Sequence, residues 1–202
     1  MNHITHFRDG AQEREHRVTV ALSQPGPLHA SLVRTLRIDK PYWVTAEFDK
    51  AAYGRKGDVD LAFLIDPGKR HERLYALEVK VAYLDTSGIL KSEKKNKHHK
   101  QLRLLCNEGW HKVYLLDVIV TAPATNWWHC QAGEAAQKLR KTIDDNVCGH
   151  LVMQINAVAH KPETEAGSVS CEMKRPATYQ RRGTEWRKEI REALHAQMRE
   201  RR

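Results

Sequence analysis

Two acidic residues and a lysine lie inside apolar stretches of the chain, where charge is costly. Asp60 stands near the start of an apolar run over residues 58–66, and Glu78 and Lys80 stand in the middle of a second run over residues 74–83. Burying an unpaired charge costs several kcal/mol or more. These three residues are therefore the first candidates for a functional site.

The two runs are predicted to be adjacent antiparallel strands. Val, Leu and aromatic residues are frequent in both, and a Pro-Gly pair at residues 67–68 opens the break between them, which is a strong turn signal. Because side chains alternate along a strand, Asp58 and Asp60 are predicted to share one face, with Val59 on the other. The polar faces of the two strands can then meet, which gathers the three charged residues in one cluster.

A cluster of two carboxylates and one ammonium suits chemistry on phosphate. Adjacent carboxylates repel, so that one is protonated or both hold a cation. Mg²⁺ takes carboxylate oxygens and completes its shell with water and phosphate, and a metal there polarises a phosphoryl oxygen and activates a bound water. Lys80, two residues from Glu78, is predicted to point to the same place and to stabilise charge on a phosphate or position the water.

Asp60, followed by Glu78-Val79-Lys80 on the next strand, resembles the metal site of the PD-(D/E)XK nuclease superfamily. The separation of 18 positions suits a hairpin. The flanks resemble the branch that includes the VRR-NUC domains and the Holliday junction resolvases, because Gly57 precedes the first strand, Gln101 lies on the helix after the second, and Gly109 precedes a further strand. The resemblance covers roughly residues 42–121.

This resemblance implies a function and a role for each residue. Asp60 and Glu78 would hold Mg²⁺, with Mn²⁺ as a substitute, and the main-chain carbonyl of Val79 would be a further ligand. Lys80 would position or activate the attacking water and stabilise charge on the phosphate, and Gln101 would assist from the helix. The implied reaction is metal-dependent hydrolysis of a DNA phosphodiester bond.

A third acidic ligand is harder to place. Many relatives of this fold carry one on the first helix, but the predicted helix over residues 28–37 has no carboxylate. Glu13 or Glu15 fills the role if an earlier helix reaches the site. Glu47 and Asp58 are the other candidates, although Glu47 also reads as an exposed strand residue.

The same charges have a structural interpretation. A Glu and a Lys two apart on an exposed strand face are usually solvated, and Asp58 and Asp60 fit an edge strand that is protected against pairing. The strand predicted over residues 113–120 is almost wholly apolar, which places the centre of the sheet nearby and favours a site.

The overall charge favours a polyanionic partner, with DNA as the expected one. The formal net charge is +9 over 202 residues, which suits nucleic acid. Residues 91–100 hold five Lys against one Glu, and residues 174–202 hold ten Lys or Arg against four Glu. A solvated helix face is the alternative for the first of these stretches. The predicted nucleic-acid contacts are Lys94, Lys95, Lys97, Lys100, Arg181 and Arg182.

The pattern of elements predicts an α/β fold, with a mixed sheet flanked by helices as in a restriction-endonuclease-like core. Residues 9–16 are predicted to be helical, with residues 17–23 as a continuation or a short strand. Further helices are predicted over residues 28–37, 92–108, 133–145 and 184–202, and further strands over residues 42–50, 113–120 and 149–160. In the strand over residues 42–50, Tyr42, Val44, Ala46 and Phe48 are predicted to share a face.

The predicted organisation is a nuclease-like domain over residues 1–160, a linker over residues 161–183 and a basic amphipathic helix over residues 184–202. That last helix repeats Trp186, Ile190, Leu194 and Met198 at spacings of four, so its apolar stripe needs a partner. The alternatives are its own domain, a second copy of the chain in a homodimer, or another protein.

Several classes are not expected. The four cysteines form no Cys-x-x-Cys pair, so neither a zinc site nor a structural disulfide is predicted, and most are expected to be buried. No run reaches the roughly 18 apolar residues of a membrane span, and the first residues lack an apolar signal region. A cytoplasmic location with no membrane association is expected.

Two functions of different classes follow. The first is a metal-dependent DNA endonuclease, with phage defence, restriction, repair and mobile-element processing as its candidate settings. The second is a non-catalytic nucleic-acid-binding or assembly subunit that keeps a nuclease-like core. An RNA-directed nuclease is a further alternative.

Overall fold

The computed structural model describes residues 10–84, 98–121, 147–157, 166–180 and 186–201. Over these residues the chain is an α/β structure, with a mixed sheet of six strands and four flanking helices. The elements in chain order are α1 (Gly10–Ser23), α2 (Pro27–Leu36), β1 (Tyr42–Asp49), β2 (Asp58–Ile65), β3 (Arg73–Leu84), α3 (His98–Glu108), β4 (Lys112–Thr121), β5 (Gly149–Ala157), β6 (Ala166–Arg175) and α4 (Trp186–Glu200).

The six strands lie side by side in the order in which they occur along the chain. β1, β2 and β3 are antiparallel neighbours, β3, β4 and β5 run parallel, and β6 returns antiparallel to β5. The loop over residues 66–72 makes the β2–β3 hairpin. The parallel step from β3 to β4 needs a crossover, and α3 lies within it. The predicted α/β class and the mixed sheet are confirmed.

Apolar side chains fill both faces of the sheet. The first cluster joins α1 and α2 to one face, through residues such as Leu22 and Leu32. The second cluster joins α3 and α4 to the other face, through residues such as Leu105 and Ile190. A helix needs one apolar stripe to pack in this way, and the stripes at Leu28, Leu32 and Leu36 and at Ile190 and Leu194 are buried as their spacings predict.

The regular alternation of β1 and β2 breaks at one point. Ala46 packs against the first cluster, but Phe48 belongs to the second. Between them Glu47 has φ 51°, in the left-handed region that L-residues seldom adopt. Val59, opposite Phe48, also belongs to the second cluster. The predicted face for Phe48 is therefore wrong, because the left-handed residue before it changes which side of the sheet this side chain occupies. β2 loses its alternation at the same level, since Val59 packs in the second cluster and Leu61 in the first.

The predicted linker over residues 161–183 is also wrong in part, because residues 166–175 form β6. The side chains of Val169, Cys171 and Met173 are partly buried against the first cluster, and the residues between them are polar. This is the period of a half-buried strand at the edge of a sheet. The Ser and Glu content of the segment hid that alternation.

The remaining differences concern the ends of helices. α1 is continuous through Ser23, so residues 17–23 extend the helix and do not form a strand. Of the helix predicted over residues 92–108, residues 98–108 are described, and the helix predicted over residues 133–145 lies outside the described residues. Among the helices that are described, none has the length and apolar character needed to cross a membrane.

Candidate active site at the fork between β2 and β3

The β2 and β3 strands separate at the level of Asp60. Their ladder runs from Ile65↔Arg73 to Leu61↔Leu77. On its other edge β3 pairs with β4 from Tyr75 to Leu84, so after Leu77 it continues beside β4 alone. The carboxylate of Asp60 bridges the opening, because its Oδ2 accepts a hydrogen bond of 2.6 Å from the main-chain N–H of Val79. The fork therefore holds an acidic side chain where a ladder hydrogen bond would otherwise lie.

Lys80 is the centre of a charged cluster in this fork. Its Nζ lies 2.9 Å from Oε1 of Glu78 and 3.7 Å from Oδ2 of Asp60. It also donates a hydrogen bond of 2.9 Å to Oε1 of Glu15. The structure thus brings together the three residues named from the sequence, and α1 adds a third carboxylate.

Glu15 reaches the cluster because α1 packs across the sheet. Val18 and Leu22 on the same helix are fully buried in the first cluster. Positions 15, 18 and 22 follow the spacing of one helical face, so the stripe that anchors α1 also turns Glu15 towards the strands. Glu13, the other candidate on this helix, pairs with Arg17 on its exposed side.

Burial and mutual repulsion raise the proton affinity of the carboxylates. Desolvation and the charge of Glu78 raise the pKa of Asp60 to about 7, and the charge of Glu15 adds to the rise. Desolvation also raises the pKa of Glu78, against the opposing effect of Lys80. A nearby cation favours the ionised form of a carboxylate and so opposes such a rise.

Lys80 supplies one such charge. Burial alone would lower its pKa, but the carboxylates of Glu78, Asp60 and Glu15 outweigh burial and raise it. When all three carboxylates are ionised, the single ammonium leaves two of their negative charges uncompensated within this group. Oε1 of Glu78 is buried, and Nζ of Lys80 lies 2.9 Å from it.

The three carboxylates suit a divalent cation, because they offer hard oxygen ligands and, when ionised, two negative charges that Lys80 does not balance. Among the described residues, however, no three Asp, Glu, His or Cys side chains are grouped so that one ion contacts all of them. Lys80 lies between the carboxylates. A Mg²⁺ ion that keeps most of its waters and uses one or two carboxylates is compatible with this arrangement.

The two remaining acidic candidates lie beside the cluster. Glu47 lies opposite Asp60, because the β1–β2 register is the same before and after Glu47. Oε1 of Glu47, however, lies 2.5 Å from Nδ1 of His16. Asp58 is exposed at the start of β2 and pairs with Asp49 across the strands. Neither is among the charged partners of Lys80 at this fork.

The residues predicted to contact nucleic acid are mostly outside the described part of the chain. Gln101 is exposed on α3, and the described hydrogen bonds do not join it to the cluster at Lys80. The backbone of Lys100 lies in α3, but its side chain is not described. Lys94, Lys95, Lys97, Arg181 and Arg182 lie outside the described residues, so their roles stay predictions.

A second buried ionic group joins the residues after β1 to the end of α3 and was not predicted. Lys50 Nζ donates to Oε1 of Glu108 at 2.6 Å, and the hydroxyl of Tyr53 donates to Oε2 of the same carboxylate at 3.0 Å. The charge of Lys50 also acts to lower the pKa of Glu78. The sequence signal was weak, because Lys50 and Tyr53 lie in a short 3₁₀-helix (Lys50–Tyr53) between β1 and β2 and not in a long apolar run.

A third buried pair joins β4 to β5. Oδ2 of Asp117 lies 2.7 Å from Nε2 of His150, and both side chains are 3% exposed. Asp117 is the register partner of Lys80 on the neighbouring strand. An aspartate in the middle of the apolar run over residues 113–120 was the available signal, by the same reasoning that identified Asp60.

Comparison with models of protein families gave no match, and comparison with curated protein sequences gave none either. The likeness to a nuclease site therefore depends on the residues at the fork and on their order along the strands.

Proposed function

We propose that this protein is a metal-dependent endonuclease that hydrolyses DNA phosphodiester bonds, with a site of the PD-(D/E)XK type. The observation that supports the proposal is the position of Lys80, whose ammonium lies within 4 Å of Glu15, Asp60 and Glu78 where β2 and β3 separate. Such a concentration of ionisable groups in a largely buried position is typical of a functional site.

In this proposal the acidic residues hold the cation. Asp60 and Glu78 would bind Mg²⁺ or Mn²⁺, with the main-chain carbonyl of Val79 as a further ligand, and Glu15 is the third acidic residue that α1 adds. When bound, the ion would supply Lewis-acid activation of the phosphate and of a water molecule. The burial of Glu78 beside two other carboxylates supports this assignment.

Lys80 has a separate role in the proposal. As an ammonium it carries a positive charge, and it donates hydrogen bonds but accepts none. It would therefore orient the attacking water and stabilise the charge that develops on the phosphate. Gln101 would assist from α3, and the basic residues before and within that helix would neutralise backbone phosphates, so that binding weakens as salt rises.

Cleavage of supercoiled plasmid, linear single-stranded DNA and RNA in Mg²⁺ or Mn²⁺ tests this proposal. We expect the wild type to cut DNA, and Asp60→Asn and Lys80→Met to bind DNA without cutting it. Glu15→Gln should lower cleavage at least about tenfold, the effect of losing roughly 1.4 kcal/mol of transition-state stabilisation. Glu13→Gln, the same change two residues away on the exposed side of α1, is the matched control and should cut normally.

The alternative function is a nucleic-acid-binding or assembly subunit without catalysis. It is favoured by one observation, namely that Lys80 lies among the carboxylates while the described residues gather no three ligands around one point. In that case the ammonium is the permanent counter-ion of a structural cluster. Wild type that binds DNA but cuts nothing with either metal would select this alternative and reject the nuclease. Cleavage confined to RNA would select the ribonuclease.

A further inference from the structure

Two cysteines from distant parts of the sequence meet beneath α3. Cys106 lies near the end of α3 and Cys148 lies directly before β5, and their Sγ atoms are 2.8 Å apart. A disulfide bond is about 2.05 Å long, so the two sulfur atoms are close to bonding distance. Both residues carry thiols in this structure.

The two thiols differ in access to solvent. Cys148 is fully buried in the second cluster, whereas Cys106 is partly exposed and packs against the edge of that cluster. The start of β5 is held in place, because the main-chain carbonyl of Cys148 accepts a hydrogen bond of 3.0 Å from Nε of Arg175. The pair therefore combines one accessible sulfur with one sheltered sulfur at the fixed start of β5.

We propose that Cys106 and Cys148 form a redox-active dithiol that is oxidised by low-molecular-weight disulfides such as oxidised glutathione. The thiolate of Cys106 attacks one sulfur of glutathione disulfide, which forms a mixed disulfide and releases one glutathione. The thiolate of Cys148 then attacks the sulfur of Cys106 and releases the second glutathione. The protein loses two protons and two electrons, and one glutathione disulfide becomes two glutathione thiols.

The order of the two steps follows from burial. Glutathione is too large to reach a fully buried sulfur in a packed core, so attack begins at Cys106. Cys148 needs only a small displacement to reach the mixed disulfide, since the sulfur atoms already lie 2.8 Å apart. The product links α3 to the sheet across 42 positions of the chain, and such a link raises stability mainly by restricting the unfolded chain.

The experiment treats the full-length protein with oxidised glutathione and measures the intact mass and the disulfide-linked peptides. It uses a background in which Cys130 and Cys171 are replaced by alanine. The parent protein should lose two hydrogen atoms and yield a peptide pair that joins Cys106 to Cys148. Cys148→Ala should instead retain one glutathione on Cys106, and Cys106→Ala should acquire neither modification.

Alanine is used at both positions because it leaves no buried hydroxyl, and a thermal melt of each variant verifies that it is folded. A parent protein that keeps both thiols after treatment overturns the proposal, as does glutathione that stays bound to Cys106 while Cys148 is present. The oxidised parent should melt at a higher temperature than the reduced one, and dithiothreitol should reverse the shift. None of these outcomes depends on nuclease activity.

Discussion

Replacing Asp60 by asparagine should stabilise the metal-free protein at pH 8 and leave its stability at pH 4 nearly unchanged. The amide oxygen of asparagine can still accept the hydrogen bond from Val79, so the fork keeps its geometry. What the substitution removes is a carboxylate whose ionised form is unfavourable beside Glu78. The wild type carries that cost only when Asp60 has lost its proton.

The sign and size follow from the pKa of Asp60, which rises from 3.8 to about 7 on folding. Between pH 3.8 and about 7 the folded state holds a proton that the unfolded chain has already lost. Wild-type stability therefore falls as pH rises through this window, and above it the whole stabilising contribution of that proton is gone. A rise of about 3 units corresponds to an upper limit of roughly 4 kcal/mol. Because the side chain is 26% exposed, solvent screens part of this, and we expect about 2 kcal/mol.

Urea unfolding in a chelating buffer at pH 4 to pH 8 measures this difference. The stability of Asp60→Asn should exceed that of the wild type by an amount that grows with pH, and saturating Mg²⁺ should then stabilise the wild type more than the variant. Asp58→Asn, the same change on the exposed start of β2, is the control. A variant less stable than the wild type at pH 8, or a difference independent of pH, would refute the reasoning about repulsion in the fork.

Two further predictions concern how the chain is held together. Glu72→Gln should cost about 1–3 kcal/mol in urea unfolding, because the buried carboxylate lies 2.8 Å from Nε of Arg191 and 2.7 Å from Nε2 of His195 and so fixes α4 to the β2–β3 turn. An unchanged unfolding midpoint would mean that apolar packing alone holds α4. Gly149→Ala should lower the melting temperature by an amount equivalent to about 1–3 kcal/mol, since the new methyl group would overlap the ring of Tyr114. A melt identical to that of the wild type would show that the ring and the adjacent main chain at Ala177 both give way freely.

The charged residues of β2 and β3 illustrate what a local pattern can reveal. Asp60, Glu78 and Lys80 were identified because each interrupts an apolar strand, and burial makes such interruptions costly. The same reasoning applied to β4 would have identified Asp117. The buried partner of Asp117, His150, lies 33 positions away, and no local pattern specifies which buried histidine an aspartate meets.

Tertiary packing decided the third carboxylate. The sequence left four acidic residues as candidates, because each lies on a helix or strand predicted to be near the site, namely Glu13, Glu15, Glu47 and Asp58. The buried stripe of α1 turned Glu15 towards Lys80. The choice depended on the rotation of a helix about its axis, which is set by the surface that it packs against.

The sequence by itself determined the class of fold, the hairpin that carries the charged residues and the helices with apolar stripes. These follow from periodicity and turn residues, which act between neighbours along the chain. Only the tertiary structure decided the fork at Asp60, the edge strand β6 and the meeting of Cys106 with Cys148. Those features arise between segments far apart in sequence, where the energy of contact depends on a fold that no single segment specifies.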